Sequence, residues 1–358
     1  MKANELLVVA ILITAIGFSI QTLGEGKSVT PETRLAAAQS GELSSLGSAT
    51  GWLNAEPLTA GGLRGKVVLV DVWTYTCVNW LRTLPYVRVW AEKYKDKGLV
   101  VIGVHSPEFS FERDVDNVRR EAKNMRVFYP IAIDNDFAIW RAFNNHYWPA
   151  LYIIDATGRI RHHQFGEGGY EESERVIQKL LTEAGVGGIG HDLVSVDPRG
   201  LELAADWDNV KSPETYLGSE LTENFASPGG IALDTSRAYA VPTTLKLNHW
   251  ALSGEWTVGK PAVVLNQAKG RIAYRFHARD VNLVMGPAAR GTSVRFRVLI
   301  DGKPPGAAHG GDVDDQGNGT LGEQRTYQLI RQPKPITDRQ FEIEFLDTGV
   351  EAFDFTFG

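Results

Sequence analysis

One cysteine, Cys77, stands alone among 358 residues. It excludes any disulfide within the chain, and with it both a disulfide framework and a dithiol redox pair built from this sequence alone. Net positive charge is also missing: 43 acidic against 37 basic residues leave a formal charge of −6, which argues against nucleic acid or an anionic membrane surface as the main partner. The longest apolar run, Leu6 to Ile20, is broken by Thr14, Gly17 and Ser19 and falls short of the roughly 20 residues of a spanning helix. Metal-ligand spacing is absent as well. His162 and His163 are adjacent on a strand and face opposite ways, and the oxygen-rich Asp312, Asp314, Asp315, Asn318 loop fails the EF-hand pattern. No metal and no cofactor is expected.

What is present is an ordinary globular composition, 43% hydrophobic and 22% charged, long enough for about two domains at roughly 150 residues each. The apolar run after Lys2 has the length of a signal-peptide core, and Gly17-Phe18-Ser19 offers a small-x-small cleavage pattern. Residues 1–22 therefore read as a signal peptide or membrane anchor, and 23–50, rich in Gly, Ser, Thr and Glu, as a tether. An exported, periplasmic or otherwise extracytoplasmic protein follows from that reading.

Over residues 51–185 strand and helix patterns alternate, as in a sheet covered by helices. Val67 to Val72, Leu99 to Val104, Ala150 to Ile154 and Ile160 to Phe165 read as strands, the last two joined through Thr157-Gly158. Val78 to Tyr94, Phe111 to Met125, Phe137 to Phe143 and Glu171 to Ala184 read as helices. Four glycines between 185 and 190 mark a boundary. Over residues 191–358 period-two alternation takes over, in Ile272/Tyr274/Phe276, Val294/Phe296/Val298/Ile300, Phe341/Ile343/Phe345 and Phe353/Phe355/Phe357. Half-buried antiparallel strands have this pattern, and an all-β jelly-roll sandwich is the expected fold.

The chemistry centres on Trp73-Thr74-Tyr75-Thr76-Cys77-Val78-Asn79-Trp80. A β-branched strand leads into Cys77 and a helix leaves it, so the thiol sits where free N–H groups and the helix dipole favour thiolate. Trp73, Cys77, Pro85 within the helix, Trp148-Pro149 before a strand, and Asp71 six residues ahead of the cysteine resemble the thioredoxin superfamily. The stretches GKVVLVDVWTYTCVNW, LRTLPYV, VIGVHSPEF and WPALYIIDATGRIRHHQFGEG are similar to the exported region of DipZ-type proteins, a family whose C-terminal jelly-roll resembles carbohydrate-binding modules. The departure is C-x-x-W where the family has C-x-x-C.

The resemblance implies Cys77 as attacking thiol, Asp71 as the buried carboxylate of the site and Pro149 as a cis-proline that lets an extended peptide pair beside the thiol. It implies protein thiols or disulfides as partners, with a membrane electron-transfer protein and a glycan as further candidates. Trp73, Tyr75, Trp80 and Trp148 are expected to form an aromatic collar around Cys77 that narrows access to the thiol and favours apolar peptide or cofactor surfaces, with core packing as the alternative and the stronger reading for Trp73. Without a thiol at position 80, resolution of a mixed disulfide needs an external thiol. The alternative is a redox-inactive protein that binds peptides at the cis-proline groove, or glycans on Trp250 and Trp256. A peroxidase site is disfavoured, because Val70 stands where such sites have proline. His105 and Glu108 close a strand near the site, and a solvated loop explains them equally well.

Overall fold

The computed structural model describes residues 41–358; the expected leader and most of the tether lie outside them. Among the described residues no helix is long and apolar enough to cross a membrane.

The first part contains, in chain order, β1 (Gly51–Leu53), β2 (Val67–Trp73), α1 (Val78–Tyr94), β3 (Leu99–His105), α2 (Val115–Asn124), β4 (Ile131–Ile133), α3 (Ala138–Ala142), β5 (Ala150–Ile154), β6 (Ile160–Phe165) and α4 (Tyr170–Glu183). The sheet order is β1-β4-β3-β2-β5-β6, parallel across β2, β3 and β4 and antiparallel elsewhere. All seven residues of β2 are buried, because helices cover both faces. Val67, Leu69 and Trp73 join the core beneath α1, whereas Val68, Val70 and Val72 join the opposite layer with Ile139.

Two expectations need correction here. The helix read from Phe111 breaks into a 3-10 turn, Ser110–Arg113, and a helix from Val115, because the Asp114 carboxylate accepts the N–H of Asp116 and caps a fresh start. Residues 41–50 are no free tether: a 3-10 helix at Glu42–Ser48 buries Leu43 and Leu46 against the sheet.

The strands of the second part all pair antiparallel with one another: β7 (Thr215–Tyr216), β8 (Ser236–Tyr239), β9 (Trp250–Val258), β10 (Val263–Leu265), β11 (Arg271–Phe276), β12 (Asp280–Pro287), β13 (Val294–Ile300), β14 (Asn318–Leu321), β15 (Arg325–Arg331), β16 (Arg339–Phe345) and β17 (Val350–Phe357). The path runs β14-β13-β16-β11-β9-β10-β17-β12-β15. Its two ends face each other across one core, since Phe296 of β13 meets Tyr327 of β15 at 6.5 Å between ring centroids, and Phe341 of β16 meets Phe355 of β17 at 5.7 Å.

On β13 the expected alternation holds, but β12 and β17 are buried on both faces. The second face of β17 lies against the α/β part. A bulge opposite Val284 and Met285 leaves Phe353 out of the ladder and turns it outward, against the stacked rings of Phe109 and Phe111 at 5.2 and 4.8 Å. Thr326 Oγ1 donates to the Thr76 carbonyl at 2.6 Å, and Arg82 Nη2 to that of Phe357 at 3.1 Å. The segment after the glycine-rich boundary also packs down, with Val186, Ile189, Val194 and Leu201 against the α1 core. Thr326→Val, which strips one buried bond from this seam, is expected to cost about 1 kcal/mol in urea unfolding.

Candidate functional site

Cys77 is the N-cap of α1, and its carbonyl accepts the first helical bond from Leu81 at 3.0 Å. The preceding turn is held by a residue that motif reading misses. Glu112, fully buried, accepts from Thr76 Oγ1 at 2.6 Å and Thr76 N at 3.3 Å with one oxygen, and from Glu108 N at 2.7 Å and Phe109 N at 2.8 Å with the other. One carboxylate thus ties the cysteine turn to the loop after β3. A polar residue beginning a helix-like stretch carries no sequence signal of that job.

Trp80 lies one turn further along α1, where a dithiol site has its second sulfur. It is completely buried, stacks on Trp73 at 4.1 Å and 21°, and donates its indole N–H to Asp71 Oδ2 at 3.1 Å. Tyr129 donates to the same oxygen at 3.0 Å, while Asp71 Oδ1 has no partner among the described residues. Burial lifts the Asp71 carboxyl from 3.8 to about 7, and the Trp80 and Tyr129 hydrogen bonds oppose that rise. Gly103 on β3 makes room for this arrangement: a Cβ there would stand 2.7 Å from Trp73 Nε1.

The expected aromatic collar is therefore corrected. Trp73, Tyr75 and Trp80 are core residues, exposed by 2% or less, because their rings pack together and against His105 instead of rimming the thiol. Trp148 alone stays half-buried, bonded to the Ser106 carbonyl at 3.0 Å and lying on Trp140. The Trp148-Pro149 bond is cis. Val72 pairs with Ala150 and Ala150 with Phe165, so β2 delivers Cys77 at the end of the sheet that carries Pro149. The exposed aromatics at that end are Tyr147 and Phe165, 5.0 Å apart, which no motif in the sequence singles out.

The thiolate expectation also changes sign. Cys77 is half-buried as a residue, but burial of its sulfur, followed by the charge of Glu108, pushes the thiol well above its ordinary value; Glu214 adds to this, and the N–H groups of Trp80 and Asn79 oppose it. Helix-terminal donors are present and are outweighed. Beside the first turn of α1 a cleft of about 560 Å³ opens, lined by Val78, Asn79, Trp207, Lys211, Glu214 and Phe357 among others.

His105 is fully buried with neither ring nitrogen partnered among the described residues, and burial holds it down to about 3, hence neutral. Trp250 and Trp256 are fully buried and donate to the backbone carbonyls of Glu223 and Ser253, so neither is available as a sugar platform. Asp312 is engaged by Arg325 and the Gln328 N–H, and Asp314 by the N–H groups of Gln316 and Asn318. Among the described residues no group of three or more His, Cys, Asp or Glu is placed to hold a metal ion.

A strand-to-helix cysteine, a buried carboxylate on the preceding strand and a cis-proline at the same sheet end define a thioredoxin-like site. Residues 44–181 match the Redoxin family and residues 212–358 the family described as "Thioredoxin like C-terminal domain". The chain is 33% identical over 132 residues to the thiol-disulfide oxidoreductase YkuV of Bacillus subtilis, covering 37% of this chain and 88% of that protein. It belongs to the thioredoxin-like redoxin family.

The chain is also similar to protein DipZ of Mycobacterium tuberculosis, with 36% identity over 315 residues, 86% of this chain. The chain spans 42% of the length of that relative. Among solved structures, a thioredoxin-like protein in its oxidized form is 34% identical and covers 37% of this chain and 90% of its own, with a TM-score of 0.35.

Proposed function

We propose that this chain is an exported thiol-disulfide exchange protein that works with a single attacking thiol. The observation that carries the reading is the occupation of the resolving position: the Trp80 indole fills it and takes Asp71 as its acceptor, while Cys77 keeps its place on α1. In the first step the Cys77 thiol loses its proton to solvent and its sulfur attacks one sulfur of a disulfide. A Cys77 mixed disulfide forms and the other half leaves as thiolate. In the second step an external thiolate attacks the partner's sulfur, and Cys77 is released. Asp71 supports the packing around Trp80, Pro149 offers backbone beside the thiol, and Trp148, Tyr147 and Phe165 supply apolar surface for a peptide.

The partners of this reading are protein thiols and disulfides. The extracytoplasmic location rests on the leader pattern of residues 1–22, and the division into residues 51–185 and 191–358 is supported by the two family matches on either side of the boundary. Two walls of antiparallel strands around one core support a jelly-roll sandwich for the second domain.

The test is incubation with oxidised glutathione followed by intact-mass measurement. The expected result is one glutathione adduct on the native chain and none on Cys77→Ser. An unmodified native chain, over times that modify the urea-unfolded one completely, would sink the reading.

A further inference from the structure

The β-domain lies directly on the turn that presents Cys77. Thr326 bonds the carbonyl of Thr76, Phe353 packs against the stacked rings of Phe109 and Phe111, and Cys77 packs in the same apolar cluster as Ala262, Val284 and Phe353. Tyr216 donates to the Glu108 carboxyl across the seam.

Four carboxyls converge there: Glu108 and Glu112 from the loop after β3, Glu214 at the solvent edge before β7, and Asp354 of β17. Glu112 satisfies both its oxygens with the four donors of the cysteine turn and the β3 loop. The others have less: Glu108 accepts from the Tyr216 hydroxyl, and Asp354 has the Thr215 backbone N–H and a side-chain hydrogen bond shared with Glu214, which itself requires a proton on one of the two. No cation is among the largest influences on Glu108, Glu214 or Asp354, and Asp354 Oδ1, in a residue 2% exposed, has no partner among the described residues. Carboxylates packed this closely without counter-charge stay together only when protons neutralise some of them.

We propose that the β-domain is a cover over Cys77 latched by protonated carboxyls, and that ionisation of Glu108 and Asp354 loosens the latch and uncovers the thiol. Burial, then Glu112 and Glu214, lift Glu108 from 4.5 to about 8 against the Tyr216 hydrogen bond; burial, then Glu214 and Glu108, lift Asp354 well above its ordinary value. In an open seam both return toward ordinary carboxylate values. Closure therefore takes up protons. For Glu108 it is strongest below pH 4.5, weakens as the pH rises to about 8, and stays weakened above. The other titrating groups facing the seam do not reverse this. Burial, with Glu108 next for Tyr216, pushes the Tyr216 and Tyr274 phenols up so that they remain neutral, and His105 is uncharged above about pH 3. The cations on and around these elements are Lys211, in the cleft, Arg113, which donates to the Asn135 carbonyl, Arg325 and Arg331, paired with Asp312 and Asp280, and Arg120, paired with Glu121 and Glu323.

The lone cysteine makes access directly readable, and alkylation reports access whether or not disulfide exchange takes place. The rate of Cys77 alkylation by an uncharged reagent is measured on the full chain, folded and urea-unfolded, at pH 5.5, 7 and 8.5. The ratio of unfolded to folded rates is the protection. Protection is expected to fall by about tenfold or more across this range, at roughly tenfold for each pH unit over which a carboxyl is ionised in the open seam and protonated in the closed one. The Glu108→Gln/Asp354→Asn pair is expected to hold it within about threefold, and Glu108→Gln alone, which keeps the Tyr216 contact, to give an intermediate slope. Thr326→Val, which loosens the seam without removing a titrating group, lowers protection at every pH. An equal fall in wild type and double variant, or protection in Thr326→Val unchanged from wild type, would overturn the proposal.

Discussion

Trp80→Cys is expected to lower folding stability by about 3–5 kcal/mol and, in the fraction that remains folded, to raise disulfide-reducing turnover above that of the native chain, whose resolving step must come from an external thiol. The stability loss follows from burial. The indole is fully enclosed, stacked on Trp73 and bonded to Asp71, so its removal leaves a void and takes one of two donors from a buried carboxyl. The gain follows from spacing, because position 80 lies one helical turn beyond Cys77, within reach of its sulfur. Urea unfolding reads the first effect. An insulin reduction assay with dithiothreitol reads the second, with at least a tenfold rate increase expected over wild type. A variant that folds, shows no rate increase and never forms an internal disulfide would mean that the site has lost its geometry along with its second thiol.

Asp71→Asn is expected to remove a pH dependence of stability on the order of 4 kcal/mol, at about 1.4 kcal/mol for each pH unit that separates the folded and unfolded titrations. The sign follows from burial. The folded carboxyl titrates at about 7 and the unfolded one at 3.8, so folding binds a proton. Its contribution is fully present below 3.8, declines as the pH rises to about 7 and is lost above. The amide keeps an oxygen acceptor for Trp80 and Tyr129 and cannot ionise. Because Glu108 and Asp354 act in the same direction, the measurement is the difference between wild type and variant in urea unfolding at pH 4.5, 6 and 8. Parallel curves would show that Asp71 carries no proton in the native state.

The helix from Val78 to Tyr94 was readable in full and the strand that precedes it to within one residue, because β-branched and helical periods change sharply at Cys77. The cysteine, Asp71 and Pro149 could be placed from spacing and resemblance for the same reason. What local pattern cannot encode is which way a tryptophan turns. Trp80 reads equally well as rim or core, and only the Asp71 acceptor and the Trp73 face decide for core. The seam was illegible for another reason. The alternation of Phe353, Phe355 and Phe357 assigns all three to one face, and a single bulge sends Phe353 to the other. Strands as short as β1 and β4, three residues each, carry too few positions to show a period.

The central claim is that Cys77 and Trp80 form one half of a dithiol site whose resolving step must come from outside. The direct measurement is the lifetime of a glutathione mixed disulfide on Cys77 after free glutathione has been removed. In the native chain the adduct is expected to persist until an external thiol is added and then to leave quantitatively, whereas in Trp80→Cys it is expelled without any addition. Spontaneous loss from the native chain at the rate seen in Trp80→Cys would contradict the claim, as would failure of an external thiol to release it.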